Sequence, residues 1–362
     1  MTRFLYVLLV IVLFGVLIAI HEFGHFITAK LLGVKVNEFA IGMGPALWTR
    51  QRGETLYALR AFPVGGYCAM EGEDEDTGDP RAFSRQKGWK KIIILCAGSF
   101  MNFLLGLVIM VILSLSLTQV SVPVITSFMD GFALEGDGGL MVGDRIVSVD
   151  GHAVWLYSDA LMYLDRNDGV SGIDLVVERD GEKIVLNDFP MTRSIEMEED
   201  GRTTKKFGLT FTQTEQLSLA GRIKYGFLQS VDFVRVVWMS LGDLVTGRVP
   251  VSELSGVVGV VDVVSEIGTQ TQAQVKSALA GVMDVLSMMA LIAVNLAVMN
   301  LLPIPALDGG RIFFVLLNGL LYAVARRRIP EKYEGYVHAG AFVVLLALMA
   351  VVAFHDVWKI FA

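Results

Sequence analysis

The chain is poor in cysteine, in histidine and in charge. Its 362 residues include two cysteines, Cys68 and Cys96, with no CxxC or CxxH spacing near either. That excludes a disulfide framework and a cysteine-ligated zinc site, and leaves both as free thiols. Charged residues make up 19% of the chain, and its net charge of −7 is spread through polar loops without a basic stripe, so nucleic acid is excluded as a partner. What is abundant is apolar: 54% of residues are hydrophobic and the mean hydropathy is +0.57, outside the range of soluble domains. The composition is that of a protein held in a lipid bilayer.

Four apolar runs are long enough to cross a bilayer as helices: 4–32, 92–117, about 282–302, and 336–354. The first is too long for a cleaved leader and lacks a small-residue cleavage pattern, so it is expected to stay in the mature protein. Lys30, Lys35, Arg50, Arg52, Arg60, Arg81, Arg85, Lys87, Lys90 and Lys91 lie between the first two runs, and Arg311, Arg326, Arg327, Arg328 and Lys332 between the last two. The positive-inside rule puts both loops in the cytoplasm. Segment 118–135 has no Lys or Arg, and 260–281 has only Lys276. The long middle region and the N-terminus are therefore expected to face outward.

His21, Glu22, Phe23, Gly24 and His25 spell HExxH inside the first run. Ionisable groups at that depth cost roughly 2.5–3.5 kcal/mol each on insertion scales, so they need a compensating partner, and a metal ion supplies one. Histidines at i and i+4 project from one helix face, the separation at which two imidazoles share a tetrahedral zinc. Glu22 between them is suited to take a proton from a metal-activated water and return it to a departing amine. A third protein ligand is still required.

In the expected orientation the first and third runs are parallel, which makes their depths comparable. His21 lies roughly 25 Å along the first at about 1.5 Å per residue. The third ends in Asn300-Leu301-Leu302-Pro303-Ile304-Pro305-Ala306-Leu307-Asp308, where two prolines break the helix at a similar depth. Asp308 is thereby brought level with the two histidines. The Leu-Asp-Gly-Gly stretch also reads as a turn whose Asp caps a helix from Ile312 onward; the depth match and the prolines favour the ligand. His152, His338 and His355 read as structural.

Other segments leave alternatives open. Val34, Val36, Phe39 and Ile41, then Leu56 to Leu59, alternate between glycines and suggest short strands. Their edges either bind an unwound substrate by strand addition or merely pack. Residues 122–192 read as a compact αβ module, either a gate for substrates or a spacer or partner-docking domain. Residues 195–216 read as a charged linker or exposed hairpin. Within 217–249, Ile223, Phe227, Val231, Val234, Trp238, Leu241 and Val245 recur at helical spacing, giving either a surface-lying amphipathic helix or a core-packing one. The expected organisation is a transmembrane helix at 1–33, a cytoplasmic-side β hairpin and loop region at 34–91, a second transmembrane helix at 92–117, and the αβ module at 122–192. A linker and amphipathic region at 193–280, a third transmembrane helix at 281–310, and a loop with the fourth at 311–362 complete it.

HEFGH in the first span together with NLLPIPALDGGR after the third resembles the site-two protease family of intramembrane zinc metalloproteases, in its bacterial RseP-like branch. EFAIGMGP (38–45) is similar to that branch's FxxGxGP element, FPVGGYCAMEGE (62–73) to the end of its membrane-associated β hairpin, and AGSFMNF (97–103) to its GxxxN motif. GGLMVGDRIVSVDGHAV (138–154) resembles the core of a PDZ domain. The resemblance implies a polytopic α-helical membrane protein with about four transmembrane helices, a membrane-associated β hairpin and a single extracytoplasmic PDZ-like α+β domain. It implies His21, His25 and Asp308 as zinc ligands, Glu22 as catalytic base, and Asn102 and Asn300 as residues that hold substrate or organise the site. Implied substrates are single-pass membrane proteins already trimmed outside, such as anti-sigma factors, and remnant signal peptides, cut near the cytoplasmic leaflet of the bacterial cell membrane. Val257 departs from the pattern, where relatives carry proline.

Overall fold

The computed structural model describes residues 2–73, 77–166, 172–193, 195–199, 202–248, 256–327 and 329–361. In chain order the elements are α1 (Arg3–Leu31), β1 (Val36–Arg52), β2 (Thr55–Met70), α2 (Gly88–Leu115), β3 (Gln119–Ser121), β4 (Ser127–Phe128), β5 (Arg145–Val149), β6 (His152–Ala153) and α3 (Tyr157–Arg166). There follow β7 (Ile173–Arg179), β8 (Glu182–Phe189), β9 (Ile195–Glu199), β10 (Arg202–Lys206), β11 (Leu209–Thr210) and β12 (Thr214–Gln216). The chain ends in α4 (Leu219–Val245), α5 (Val257–Val275), α6 (Ala278–Asn300), α7 (Asp308–Ala325) and α8 (Glu331–Phe361). Two units result: Met1–Met110 with Phe233–Ala362, and Val111–Asp232.

In the first unit, α1 is apolar on every side and free of proline, which suits a helix surrounded by lipid and other helices. Tyr6, Val10 and Leu17 of α1 pack with Val264 of α5 and with Val285, Met289 and Ala293 of α6. Lipid tails are as apolar as these side chains, so close packing and polar contacts hold such helices together. The fully buried Tyr6 supplies one, its hydroxyl donating to Gln272 Oε1 at 3.1 Å.

The strands β1 and β2 are too long to run straight, and each bends at glycine: Gly42 and Gly44 at φ +84 and Gly65 at φ +89. The result is a four-segment sheet ordered 46–52, 55–60, 36–41, 66–70, with 36–41 paired to β2 on both sides: antiparallel to 66–70, and in a register that advances in parallel with 55–60. Below it, Val34, Val36, Cys68 and Met70 bury against Ala29 of α1 and Ile94 and Leu95 of α2. Met43, Leu47, Trp48, Leu59 and Phe62 stay exposed, an apolar surface that suits lipid contact. Arg60 stitches the sheet together, donating to Glu38 at 2.6 Å and to the Gly44 carbonyl at 2.8 Å.

Five helices, among the described residues, are long and apolar enough to cross a membrane: Arg3–Leu31, Gly88–Leu115, Ala278–Asn300, Asp308–Ala325 and Lys332–Phe354. The sequence reading expected about four and took 311–335 as loop. The difference is α7, whose hydropathy of 1.3 is well below the 2.1–2.9 of the others because Asp308, Arg311 and Asn318 interrupt its apolar stretch. The helix also starts at Asp308, earlier than the Ile312 start expected for an Asp-capped helix.

The second unit is an α+β fold built on the antiparallel sheet β6-β5-β7-β8. Ile146, Val149, Ile173, Leu175 and Val177 are buried on its strands, as are Ala160, Tyr163 and Leu164 on α3, and 173, 175 and 177 follow the alternation of a half-buried strand. Asp144 is buried and bidentately held by Arg179, at 2.7 Å to Nε and 2.8 Å to Nη2. Part of 195–216 does more than link. The strands β9 and β10 form a hairpin, while β11 and β12 return to pair with β4 and β3. Ser255 and the side chain of Val257, in the stretch that departs from the family pattern, lie outside the described residues.

Candidate metal centre

The histidines come from one turn of α1, and the helix brings their rings to 4.8 Å between centroids, edge to face, with Nε2 atoms 3.2 Å apart. Two close approaches aim them. Gly24 allows α1 to cross α2 so tightly that a Cβ there would lie 2.4 Å from the Ala97 carbonyl oxygen. Gly98 across the same crossing leaves the hollow that the imidazoles fill, since its Cβ would lie 2.4 Å from His25 Nε2. His25 Nδ1 is 2.8 Å from the Ile94 carbonyl. A carbonyl only accepts, so Nδ1 carries the proton and Nε2 presents its lone pair inward.

The third donor arrives from far along the chain. After α6 ends at Asn300, a tight turn containing Pro303 and Pro305 runs to Asp308. Gly309 and Gly310 let α7 press back on it, as side chains there would strike the carbonyls of Leu302 and Ile304. Asp308 is the first residue of α7, and Leu307 takes the cap position with no side-chain cap bond. Asp308 Oδ2 lies 3.2 Å from His21 Nε2 and 3.3 Å from His25 Nε2.

Three donor atoms at mutual distances of 3.2, 3.2 and 3.3 Å form a nearly equilateral triangle. Metal–ligand bonds of about 2.0–2.1 Å in tetrahedral geometry separate ligands by about 3.3 Å, so the triangle has the dimensions that one face of a zinc tetrahedron requires. Lone pairs and a carboxylate facing one another at this range repel unless a cation sits among them. Among the described residues this is the one group of three or more His, Cys, Asp and Glu side chains placed to hold an ion.

Glu22 lies on α1 beside the sheet, its Cγ 3.5 Å from where a Cβ on Gly66 would stand. Asn102 is buried one turn beyond Gly98 on α2, and its Oδ1 finds no donor among the described residues. Asn300 closes α6, partly buried and outside the donor triangle. His152 stacks on Tyr163, with ring centroids 5.0 Å apart. His338 accepts from the Ala306 amide at 2.9 Å, and the side chain of His355 lies outside those described. Sequence reasoning did not single out Ile94, whose carbonyl orients His25, or the ion pair between Arg311 of α7 and Glu73 after β2. A backbone carbonyl leaves no mark in a sequence, and Arg311 reads as one more positive-inside charge.

The family described as Peptidase family M50 matches residues 9–348, a span that contains all three donors and Glu22. The chain belongs to peptidase family M50. It is 32% identical over 358 residues to a Clostridium acetobutylicum protein named "Putative zinc metalloprotease", covering 98% of each. It is 33% identical over 353 residues to a Clostridium perfringens protein of the same description, again covering 98% of each. The "Regulator of sigma-W protease RasP" of Bacillus subtilis is 26% identical over 432 residues, covering 97% of this chain and 98% of that one. This M50 chain is a metalloprotease of the site-two type, and its apolar helices make it a multi-pass membrane protein.

Proposed function

We propose that this M50 protein is a zinc endopeptidase that cuts single-pass membrane proteins inside the bilayer. The observation that carries the reading is the equilateral donor triangle of His21, His25 and Asp308, set among helices of spanning length. Zinc held by those three atoms would supply Lewis acidity and a water that ionises near neutral pH. Two neutral imidazoles and one carboxylate leave the site near +1, a smaller burial cost than bare zinc.

Glu22, one residue from the first ligand, accepts the proton of the attacking water and delivers it to the departing amide nitrogen. The neighbouring sheet supplies the substrate cradle. A transmembrane helix must give up its internal hydrogen bonds before a peptide bond is reachable, and an extended segment regains them by pairing along a strand edge. Segment 66–70, beside Glu22 and paired on one side with 36–41, is that edge. Asn102, whose buried oxygen has no donor among the described residues, and Asn300, at the end of α6, position the substrate backbone.

The positive-inside charge pattern supports a centre toward the cytoplasmic leaflet of a bacterial cell membrane, with the N-terminus outside. The second unit, read as a single extracytoplasmic PDZ-like domain, admits substrates whose outer domain has been removed. Anti-sigma factors fit that substrate class, in keeping with the name of the Bacillus subtilis relative, as do remnant signal peptides.

The test is cleavage of a model single-span substrate by the purified protein in detergent. Glu22→Gln is expected to retain zinc and abolish cleavage, and a chelator to abolish wild-type cleavage. Full activity in either case overturns the reading. Fusing a folded domain to the outer end of the substrate is expected to suppress cleavage only while the second unit is intact.

A further inference from the structure

Ala306 is held in an unusual backbone conformation two residues before Asp308. Its φ is +78. The other non-glycine residues with positive φ among those described are Asp150, Asp180 and Asp188, whose short polar side chains tolerate it, and Lys276 and Arg326, which close helices in left-handed cap geometry. Ala306 has neither excuse, so its conformation is imposed from outside.

The imposing contact comes from α8. The Ala306 amide donates to His338 Nδ1 at 2.9 Å, across 32 residues of sequence. The imidazole is braced by Phe314 of α7, with ring centroids 5.5 Å apart. None of the apolar stretch of α8 from Lys332 to Phe354 is buried. The turn itself has little slack, since Gly309 and Gly310 already press on the carbonyls of Leu302 and Ile304. Relaxing Ala306 to negative φ would redirect the chain immediately upstream of Asp308.

We infer that His338 is a positioning residue for the metal site: by accepting the Ala306 amide it fixes the turn that delivers the Asp308 carboxylate, so docking of α8 sets the geometry of the third ligand. The inference rests on the proposed zinc role of His21, His25 and Asp308. It assigns to the last helix a task that no motif in the sequence suggests.

The experiment measures zinc affinity of the full-length protein in detergent by competition with a chromophoric chelator. Groups that orient metal ligands typically contribute 10–100-fold in affinity, and His338→Ala is expected to weaken binding about tenfold, with His338→Asn recovering most of the loss because its Oδ1 stands near the position of Nδ1. The decisive variant is Ala306→Gly, since glycine adopts positive φ without steric cost. Combined with His338→Ala it is expected to restore affinity to within about threefold of Ala306→Gly alone. If His338→Ala does not purify as folded protein, the comparison of His338→Asn with His338→Gln carries the test, as Gln places its acceptor beyond the Nδ1 position. Wild-type affinity in His338→Ala, failure of Ala306→Gly to suppress it, or equal affinity of the Asn and Gln variants overturns the inference. Wild-type protein that binds no zinc, or an Asp308→Ala variant that binds it fully, instead overturns the zinc reading itself.

Discussion

Each unit of this protein withdraws a carboxylate from water, and the two solve the resulting problem differently. In the αβ unit, Asp144 is fully buried and meets a resident guanidinium, Arg179, which also donates to the Gly139 carbonyl at 2.7 Å. The charge is balanced by the chain, and the site is closed. In the helical unit, Asp308 meets two imidazoles at 3.2 and 3.3 Å, of which His25 has its only proton turned toward Ile94. There the chain offers no arginine or lysine beside the carboxylate among the groups that face it, and a cation is the natural complement. A carboxylate satisfied by arginine is architecture; one surrounded by inward-facing lone pairs is a receptor for a cation.

The contrast is broken most severely at Asp308. Asp308→Ala is expected to lower zinc affinity by more than about a hundredfold, beyond the range typical of orienting groups, and to reduce cleavage below detection. The αβ unit should be untouched, so the check is zinc content together with amide exchange in residues 145–189. Asp144→Ala should do the opposite. Removing the carboxylate leaves the half-buried Arg179 with only the Gly139 carbonyl, which is expected to cost about 1–3 kcal/mol in that unit, while zinc affinity stays at wild-type level. Exchange protection in β5 and β7 reads the loss.

A smaller effect sharpens the difference by ligand instead of mutation. Free zinc at about a hundred times its Kd should stabilise the fold by about 2.7 kcal/mol, seen as a rise in thermal midpoint that Asp308→Ala abolishes and Asp144→Ala keeps. The smallest is a pH effect on the loop between the sheet and α2. Glu71 accepts from Lys35 at 2.8 Å and from Asn37 at 3.0 Å, and its carboxyl is held down to about 2, chiefly by the Lys35 hydrogen bond and then by Thr77 and Asn37. A carboxylate with a lowered folded pKa stabilises above its unfolded value of about 4.3, and that contribution fades as pH falls toward 2. The thermal midpoint of the wild type should therefore drop more between pH 6 and pH 3 than that of Glu71→Gln; equal drops would remove Glu71 from this role.

How much of this was legible in the sequence follows from how local each feature is. The pair His21 and His25 is written within one helical turn, so periodicity alone aligns the rings. Asp308 became readable only through an argument about parallel spans, and Ala306 not at all, because nothing in an alanine announces positive φ. Helix α7 was hidden by Arg311 and Asn318, which depress its hydropathy although one is paired with Glu73 and the other accepts from the Ile329 amide. The alternation around 36–41 signalled strands, but the register did not follow. One strand bonded on both sides by two parts of another depends on bends at Gly42, Gly44 and Gly65, not on any side-chain pattern. The return of β11 and β12 to β4 and β3 was obscured by the charged hairpin before them.

The ion pair of Glu73 with Arg311 has a mechanical corollary. The sheet segment nearest Glu22 continues within three residues to Glu73, and Arg311 stands three residues beyond Asp308. A polypeptide annealing along 66–70 would therefore pull on the same strut that braces the carboxylate arm of the cage. On the proposed roles, grip on the substrate and alignment of the cation would not be separate tasks, and a poorly seated chain would meet a poorly assembled cutter.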